Sequence, residues 1–203
     1  MTTATIAEGF VEWLQKLAEN KDRARLAALR RGMLLEPSQF YELFSIIPPR
    51  FLDRVGPKEL QARLMVAILF ASHQGSLPAS ETRNRRPNLG ASLRQLAIKK
   101  LKKASGELGP DDELPEPLKR RLDALLAARW EDLFYHLRQV IRLLKSEEIP
   151  VDWVQLLTDL RHWDSDERWV QWSWSRSFYV GDRDEQGGSG QTDGALQAEP
   201  QEE

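Results

Sequence analysis

The side chains best placed for acid–base work are His162 and the carboxylates around it, Asp159, Asp164 and Asp166. A histidine among carboxylates can move protons near neutral pH, yet each member of this set has a simpler local use. Asp164 or Ser165 suits the cap of a helix starting at Asp166, Asp166 and Glu167 complement that helix's N-terminal dipole, and His162 reads as a surface residue. The chain has no cysteine and three scattered histidines, His73, His136 and His162, which argues against thiol chemistry, disulfides and a zinc site. The spacings GxxxxGK[ST], GxGxxG and HExxH do not occur. A small helical enzyme is therefore the weakest functional class, and no catalytic residue, metal or cofactor is assigned.

The cations say more. Residues 83–103 carry eight bases (Arg83, Arg85, Arg86, Arg94, Lys99, Lys100, Lys102 and Lys103) and no acid. Helical projection puts Lys99, Lys102 and Lys103 on one face and Leu93, Ala97 and Leu101 on the other. Such a stripe is ordinarily just a solvated face, but two more cationic groups accompany it. Arg138, Arg142 and Lys145 stand at i, i+4 and i+7, opposite Leu133, Leu137, Val140 and Leu144. Lys119, Arg120 and Arg121 precede them, and Arg129 follows Arg121 by about two helical turns. Guanidinium groups donate paired hydrogen bonds and keep their charge, so clustered arginines suit phosphate. The formal net charge of −2 conceals this, because from residue 181 onward seven acids face one base, a local net of −6, which leaves the body at +4. Nucleic acid is the leading partner class.

Elements that would position these groups are all helical, since apolar residues recur at three and four and no run alternates as a half-buried strand does. Helices are expected over about residues 5–18 and 22–31, with Asp22 as N-cap and Gly32 as stop. Short pieces follow at 38–44 and 51–55, then a buried helix opened by Pro57 and running through Leu60, Leu64, Ile68 and Ala71. Residues 73–88 read as a long loop, 89–104 as a helix, and 106–117 as an acidic, proline-bearing linker. Four further helices, at 117–128, 130–145, 151–160 and 166–179, would form a bundle. The expected architecture is an all-α helical bundle of two packed subdomains, 1–105 and 118–180, with a disordered acidic tail at 181–203. Five of the seven tryptophans fall in the last helices. Trp169 and Trp172 suit a buried stripe, Trp174 and Phe178 a second face, with one ring as a candidate base-stacking platform. No apolar run reaches the roughly 20 residues of a membrane span, and residues 1–8 lack the charge and hydrophobicity of a secretion signal. A cytoplasmic protein without membrane contact is expected.

Several short segments, in order, resemble one family. They are Ala27-Ala28-Leu29-Arg30-Arg31-Gly32, Asn88-Leu89-Gly90 followed by Leu93, Val151-Asp152-Trp153 leading to Asp159-Leu160-Arg161-His162-Trp163, and Trp174-Ser175-Arg176-Ser177-Phe178-Tyr179. Together they resemble the CasB family, the small subunit of the type I-E CRISPR surveillance complex Cascade, over about residues 5–180. The resemblance implies an all-helical, non-catalytic subunit, paired with a second copy inside a ribonucleoprotein with other Cascade subunits and a guide RNA. It implies binding of the displaced non-target DNA strand and the guide–target hybrid, which steadies the R-loop in antiviral defence. On this resemblance Arg30, Arg31, Arg129 and Arg142 are the binding residues carried over, with Arg121 and Arg138 as further candidates. Arg85, Arg86, Lys99, Lys102 and Lys103 are candidates on charge alone, while Trp163 and Trp174 belong to the core pattern. The rival readings are a stand-alone helical nucleic-acid-binding protein and an adaptor whose basic face meets an acidic protein.

Overall fold

The computed structural model describes residues 3–53, 55–74, 86–106 and 113–181, and among them are eight α-helices and three short 3-10 turns joined by loops, with no strand. The helices are α1 (Thr3–Glu19), α2 (Arg23–Arg31), α3 (Pro57–Ser72), α4 (Leu89–Ser105), α5 (Glu116–Ala127), α6 (Trp130–Ser146), α7 (Trp153–Arg161) and α8 (Trp169–Tyr179). The pieces expected as short helices at 38–44 and 51–55 are 3-10 turns, Pro37–Leu43 and Pro49–Phe51, and a third turn, Gly32–Leu34, follows α2 directly. Most of the expected loop at 73–88, part of the acidic linker, nearly all of the tail, and Arg83 and Arg85 lie outside the described residues.

Helix starts follow local chemistry. Asp22 caps α2, its Oδ1 accepting from the Arg25 amide at 3.1 Å; Asn88 caps α4 through the Ala91 amide at 3.1 Å; Asp152 caps α7 through the Gln155 amide at 2.9 Å. Pro57 begins α3, where its missing N–H costs nothing. From Ala62 to Ala71 every residue of α3 is buried, because α1, α2, α6 and α7 and the turns before it pack around it. Arg63 tolerates this burial by donating to the Phe51 carbonyl at 2.6 Å and to Glu59, which also receives Arg161 of α7 at 3.2 Å.

Helices from both halves of the chain share one apolar core. α7 lies on α3 and α1, and α8 lies on α4; the edge of Phe70 meets Trp153 with ring centres 5.7 Å apart. Glycine permits two of the contacts. At Gly32 a Cβ would come within 2.6 Å of an Ile68 side-chain carbon, and Gly32 itself has ordinary helical backbone, φ −56°. It is required by close packing on α3, not by a left-handed helix stop. At Gly90 a Cβ would fall 2.0 Å from the Trp174 carbonyl oxygen, so α4 and α8 cross backbone to backbone.

Two expectations for the C-terminal helices are corrected. α8 begins at Trp169 and not at residue 166, preceded by Arg168 in the left-handed region (φ 50°), and Asp164 caps nothing because it pairs with Lys58 at 2.7 Å. Of the two stripes expected to be covered on α8, one is covered and the other is not. Trp174 and Phe178 are fully buried against α4, whereas Trp172 is 75% exposed and Trp169 39% exposed. A helix of this length with only one partner face cannot bury both stripes.

Candidate nucleic-acid interface

The segments on which the family resemblance rests are framework. Asn88 donates to the hydroxyls of Ser173 and Ser177, each at 3.0 Å, and Gly90 lets α4 settle on Trp174 one step further along. The Trp174 indole N–H donates at 2.7 Å to buried Asp159, whose other oxygen accepts from Gln155 at 2.8 Å. Trp163 donates to the Ala128 carbonyl at 3.1 Å and packs on Trp174 with ring centres 5.2 Å apart. These bonds satisfy the buried indole N–H groups of Trp163 and Trp174, whereas that of buried Trp153 has no hydrogen-bond partner among the described residues. They also dismantle the acid–base set: Asp159 is committed to Trp174, Asp164 to Lys58, and His162 stands exposed beside Trp169. Among the described residues no group of three or more His, Asp or Glu side chains could hold a metal ion.

Several of the candidate cations turn out to hold the fold. Arg86 bridges Glu8 and the cap residue Asp152, both at 3.3 Å, and so ties α1 to α7. Arg94 donates to the Phe178 and Tyr179 carbonyls at 2.8 and 3.1 Å, closing the C-terminal end of α8. Lys99 and Lys100 converge on Glu147, the latter at 2.9 Å. The Lys100 hydrogen bond and charge, with smaller help from Lys99 and Lys103, hold the Glu147 carboxyl below the usual range. Lys102 and Lys103 remain exposed, with Lys103 lining a small recess beside Glu147.

A different set converges. α6 turns Tyr135, Arg138, Gln139 and Arg142 to one side, at i, i+3, i+4 and i+7, and α5 brings Arg121 alongside. Met33 and Leu34, in the turn after α2, complete an open groove of about 620 Å³ whose lining contains three arginines and, among the described residues, no carboxylate. Neither Arg121 nor Arg142 has an acidic partner among the described residues, and Arg142 is exposed. Arg138 is fixed: it donates to the Met33 carbonyl and lies over the Phe134 and Tyr135 rings at 5.1 and 5.8 Å from their centres. Arg30 and Arg31 stand exposed on the last turn of α2, immediately before the Gly32–Leu34 turn that walls the groove. Arg129, at the start of α6, lies about 20 Å along the helix from Arg142 and is not part of the groove. In the other direction α6 runs on to Lys145 and to Glu147, where the Lys99–Lys103 cluster begins, ~14 Å beyond Arg138. That is about four phosphate steps of one duplex strand.

Reading cations alone misses five residues of the groove lining, Met33, Leu34, Tyr135, Gln139 and Leu143. Tyr135 and Gln139 share the helical face of Arg138 and Arg142, so the periodicity already contained them. Leu34 and the alignment of α5 with α6 have no counterpart in local sequence.

Comparison with known proteins bears on this arrangement. The family model for CRISPR-associated protein Cse2 matches residues 25–179. The chain is 29% identical over 175 residues to CRISPR-associated protein Cse2 of Thermus thermophilus, covering 85% of this chain and 89% of that one. It is similar to the crystal structure of CasB from M. ruber, at 28% identity and a TM-score of 0.67 over 86% of this chain and 92% of that one. It is also similar to a chain of a CRISPR RNA-guided surveillance complex, at 26% identity and a TM-score of 0.64 over 86% and 92% of the two chains.

Proposed function

Because this chain belongs to the CRISPR-associated Cse2 family, we propose that it is a non-catalytic small subunit of a CRISPR RNA-guided ribonucleoprotein. In that setting it binds nucleic-acid backbone, the displaced non-target DNA strand and the guide–target hybrid, and stabilises the R-loop. The observation that carries the reading is the groove in which Arg121, Arg138 and Arg142 converge from two helices with no acid in its lining among the described residues. Arginine is suited to this task because each fork can grip a phosphate with two parallel hydrogen bonds and cannot titrate away its charge. Guide pairing reads sequence in such complexes, and exchanging a DNA duplex for an RNA–DNA hybrid is nearly balanced in energy, so a few backbone contacts can tip it.

The experiment is equilibrium binding of a labelled single strand by the full chain over a range of salt, with recovery of the tagged protein from its own cells. Three phosphate contacts predict a slope of about −2 in log affinity against log salt. Arg121→Ala with Arg142→Ala lowers affinity without sequence preference and reduces the magnitude of the slope by ~1.4, whereas Arg129→Ala, outside the groove, changes either quantity less. Recovery of the protein free of RNA and of companion subunits, or a folded double variant that binds with unaltered slope, refutes the proposal.

A further inference from the structure

Two residues in the groove do not belong in a pure phosphate clamp. Tyr135 is 55% exposed and Leu34 is 83% exposed, and both present apolar surface to the same concave space as the arginines. Exposed aliphatic and aromatic groups that line a concavity mark a ligand with apolar faces of its own. The remaining lining adds Gln139, whose amide both donates and accepts. An aromatic ring, an aliphatic side chain, an amide and arginines together match the parts of a nucleotide: base face, base edge and phosphate. A volume of about 620 Å³ accommodates one.

We propose that this groove takes single-stranded nucleic acid with an unpaired base stacked on Tyr135 and packed against Leu34, while Arg121 and Arg142 hold the adjoining phosphates. This rests on the reading under Proposed function and deepens it, since a base within a duplex is already stacked on its neighbours and has no face to offer. The groove thus selects the unpaired strand. Arg138 prepares the site. Its bond to the Met33 carbonyl and its place over the Phe134 and Tyr135 rings join α6 to the Gly32–Leu34 turn, so the two apolar walls are set before the strand arrives. Stacking of this kind is tolerant of base identity because every base has a π-face, which suits a subunit that must accept any displaced sequence.

The test uses fluorescence anisotropy of the full-length protein with a strand of roughly a dozen thymidines, its uridine equivalent, the same DNA strand with abasic sites, and a hairpin duplex. Tyr135→Ala is expected to weaken binding of the intact strand about tenfold, with an unaltered salt slope because no cation is lost. Tyr135→Phe retains the ring and binds as wild type. Wild-type protein binds the abasic strand and the duplex as weakly as Tyr135→Ala binds the intact strand, and on abasic DNA the substitution has no further effect. The occupant is the displaced DNA strand, so the thymidine strand is expected to show this pattern at least as strongly as the uridine strand, and a pattern confined to the uridine strand would overturn that assignment. Equal losses on intact and abasic strands would make the ring merely structural and overturn the proposal. So would a folded Tyr135→Ala that binds as wild type while Arg121→Ala with Arg142→Ala does not; that result leaves the backbone reading standing. If neither variant changes binding, both readings fall, and loss of Tyr135→Ala from the purified complex with strand binding intact would assign the groove to a protein.

Discussion

Gly90 meets the backbone of Trp174 so closely that a single methyl group there should force α4 and α8 apart. In Gly90→Ala the new Cβ would lie 2.0 Å from the Trp174 carbonyl oxygen, 2.7 Å from its carbonyl carbon and 2.8 Å from its Cα. Restoring an ordinary contact of about 3.4 Å requires a separation of about 1.4 Å at this crossing. Backbone cannot swing aside as a side chain can, so the helices themselves must move. Overpacking of this kind costs ~1–3 kcal/mol. A shift of that size also stretches the 3.0 Å bonds from Asn88 to Ser173 and Ser177 out of hydrogen-bond range, each worth ~0.5–1.5 kcal/mol. The better helix propensity of alanine returns at most ~1 kcal/mol. The balance is a loss of ~1–5 kcal/mol, which in a chain of this size lowers the midpoint of thermal unfolding by ~2–20 °C. Far-UV circular dichroism during heating reads that shift. Gly9→Ala is the matched control: Gly9 lies inside α1 with nothing within 4 Å of the added Cβ, so the substitution should raise stability by ~0.5–1 kcal/mol. If Gly90→Ala unfolds at or above the wild-type temperature, the close crossing does not exist. The structural account of the Asn88-Leu89-Gly90 segment is then wrong.

Two other substitutions probe the core junctions. Asp159→Ala leaves the buried Trp174 indole N–H and the Gln155 amide without their acceptor, and should cost ~1–3 kcal/mol for the stranded donors, read as a lower denaturant midpoint; a midpoint equal to wild type would show that the carboxylate is dispensable. His73 is buried with Nε2 2.8 Å from the Ile149 carbonyl. Burial pushes its pKa below the ordinary value, the Ile149 bond opposes this, and the Lys145 charge adds to the lowering. The ring is therefore harder to protonate in the folded state than in the unfolded chain, which takes up a proton near pH ~6.5. Its contribution is complete above that pH and is lost as pH falls from there toward the folded-state pKa. Unfolding midpoints measured on either side of pH ~6.5 should fall with acidity in the wild type and fall less in His73→Gln, whose amide can still donate to Ile149. Identical pH dependence in the two proteins would exclude His73 as a source of it.

Much of the helical layout was legible in the chain itself, because helices begin and continue through contacts three and four residues apart. Asp22 ahead of an apolar-periodic run, Pro57 at a helix start, and the repeat Leu133, Leu137, Val140 and Leu144 all act within one or two turns. Assignment to the Cse2 family was legible too, and residues of the segments that carried it, Asn88, Gly90, Asp152, Asp159, Trp163 and Trp174, cap helices or join them in this structure. What sequence could not decide was which of two equally apolar faces of α8 would be covered, and Trp172 lay exposed while Trp174 was buried. Nor could it distinguish a cation that holds the fold from one free to meet a ligand. Arg86 finds Glu8 from 78 residues away, and Arg94 closes a helix 84 residues on. Arg121 and Arg142, alike in sequence, find no acid among the described residues and share a groove with Tyr135 and Leu34. The physical reason is the same in each case. Helix formation is settled by neighbours along the chain, whereas burial and charge pairing are settled by whatever distant segment the packing of the core brings alongside.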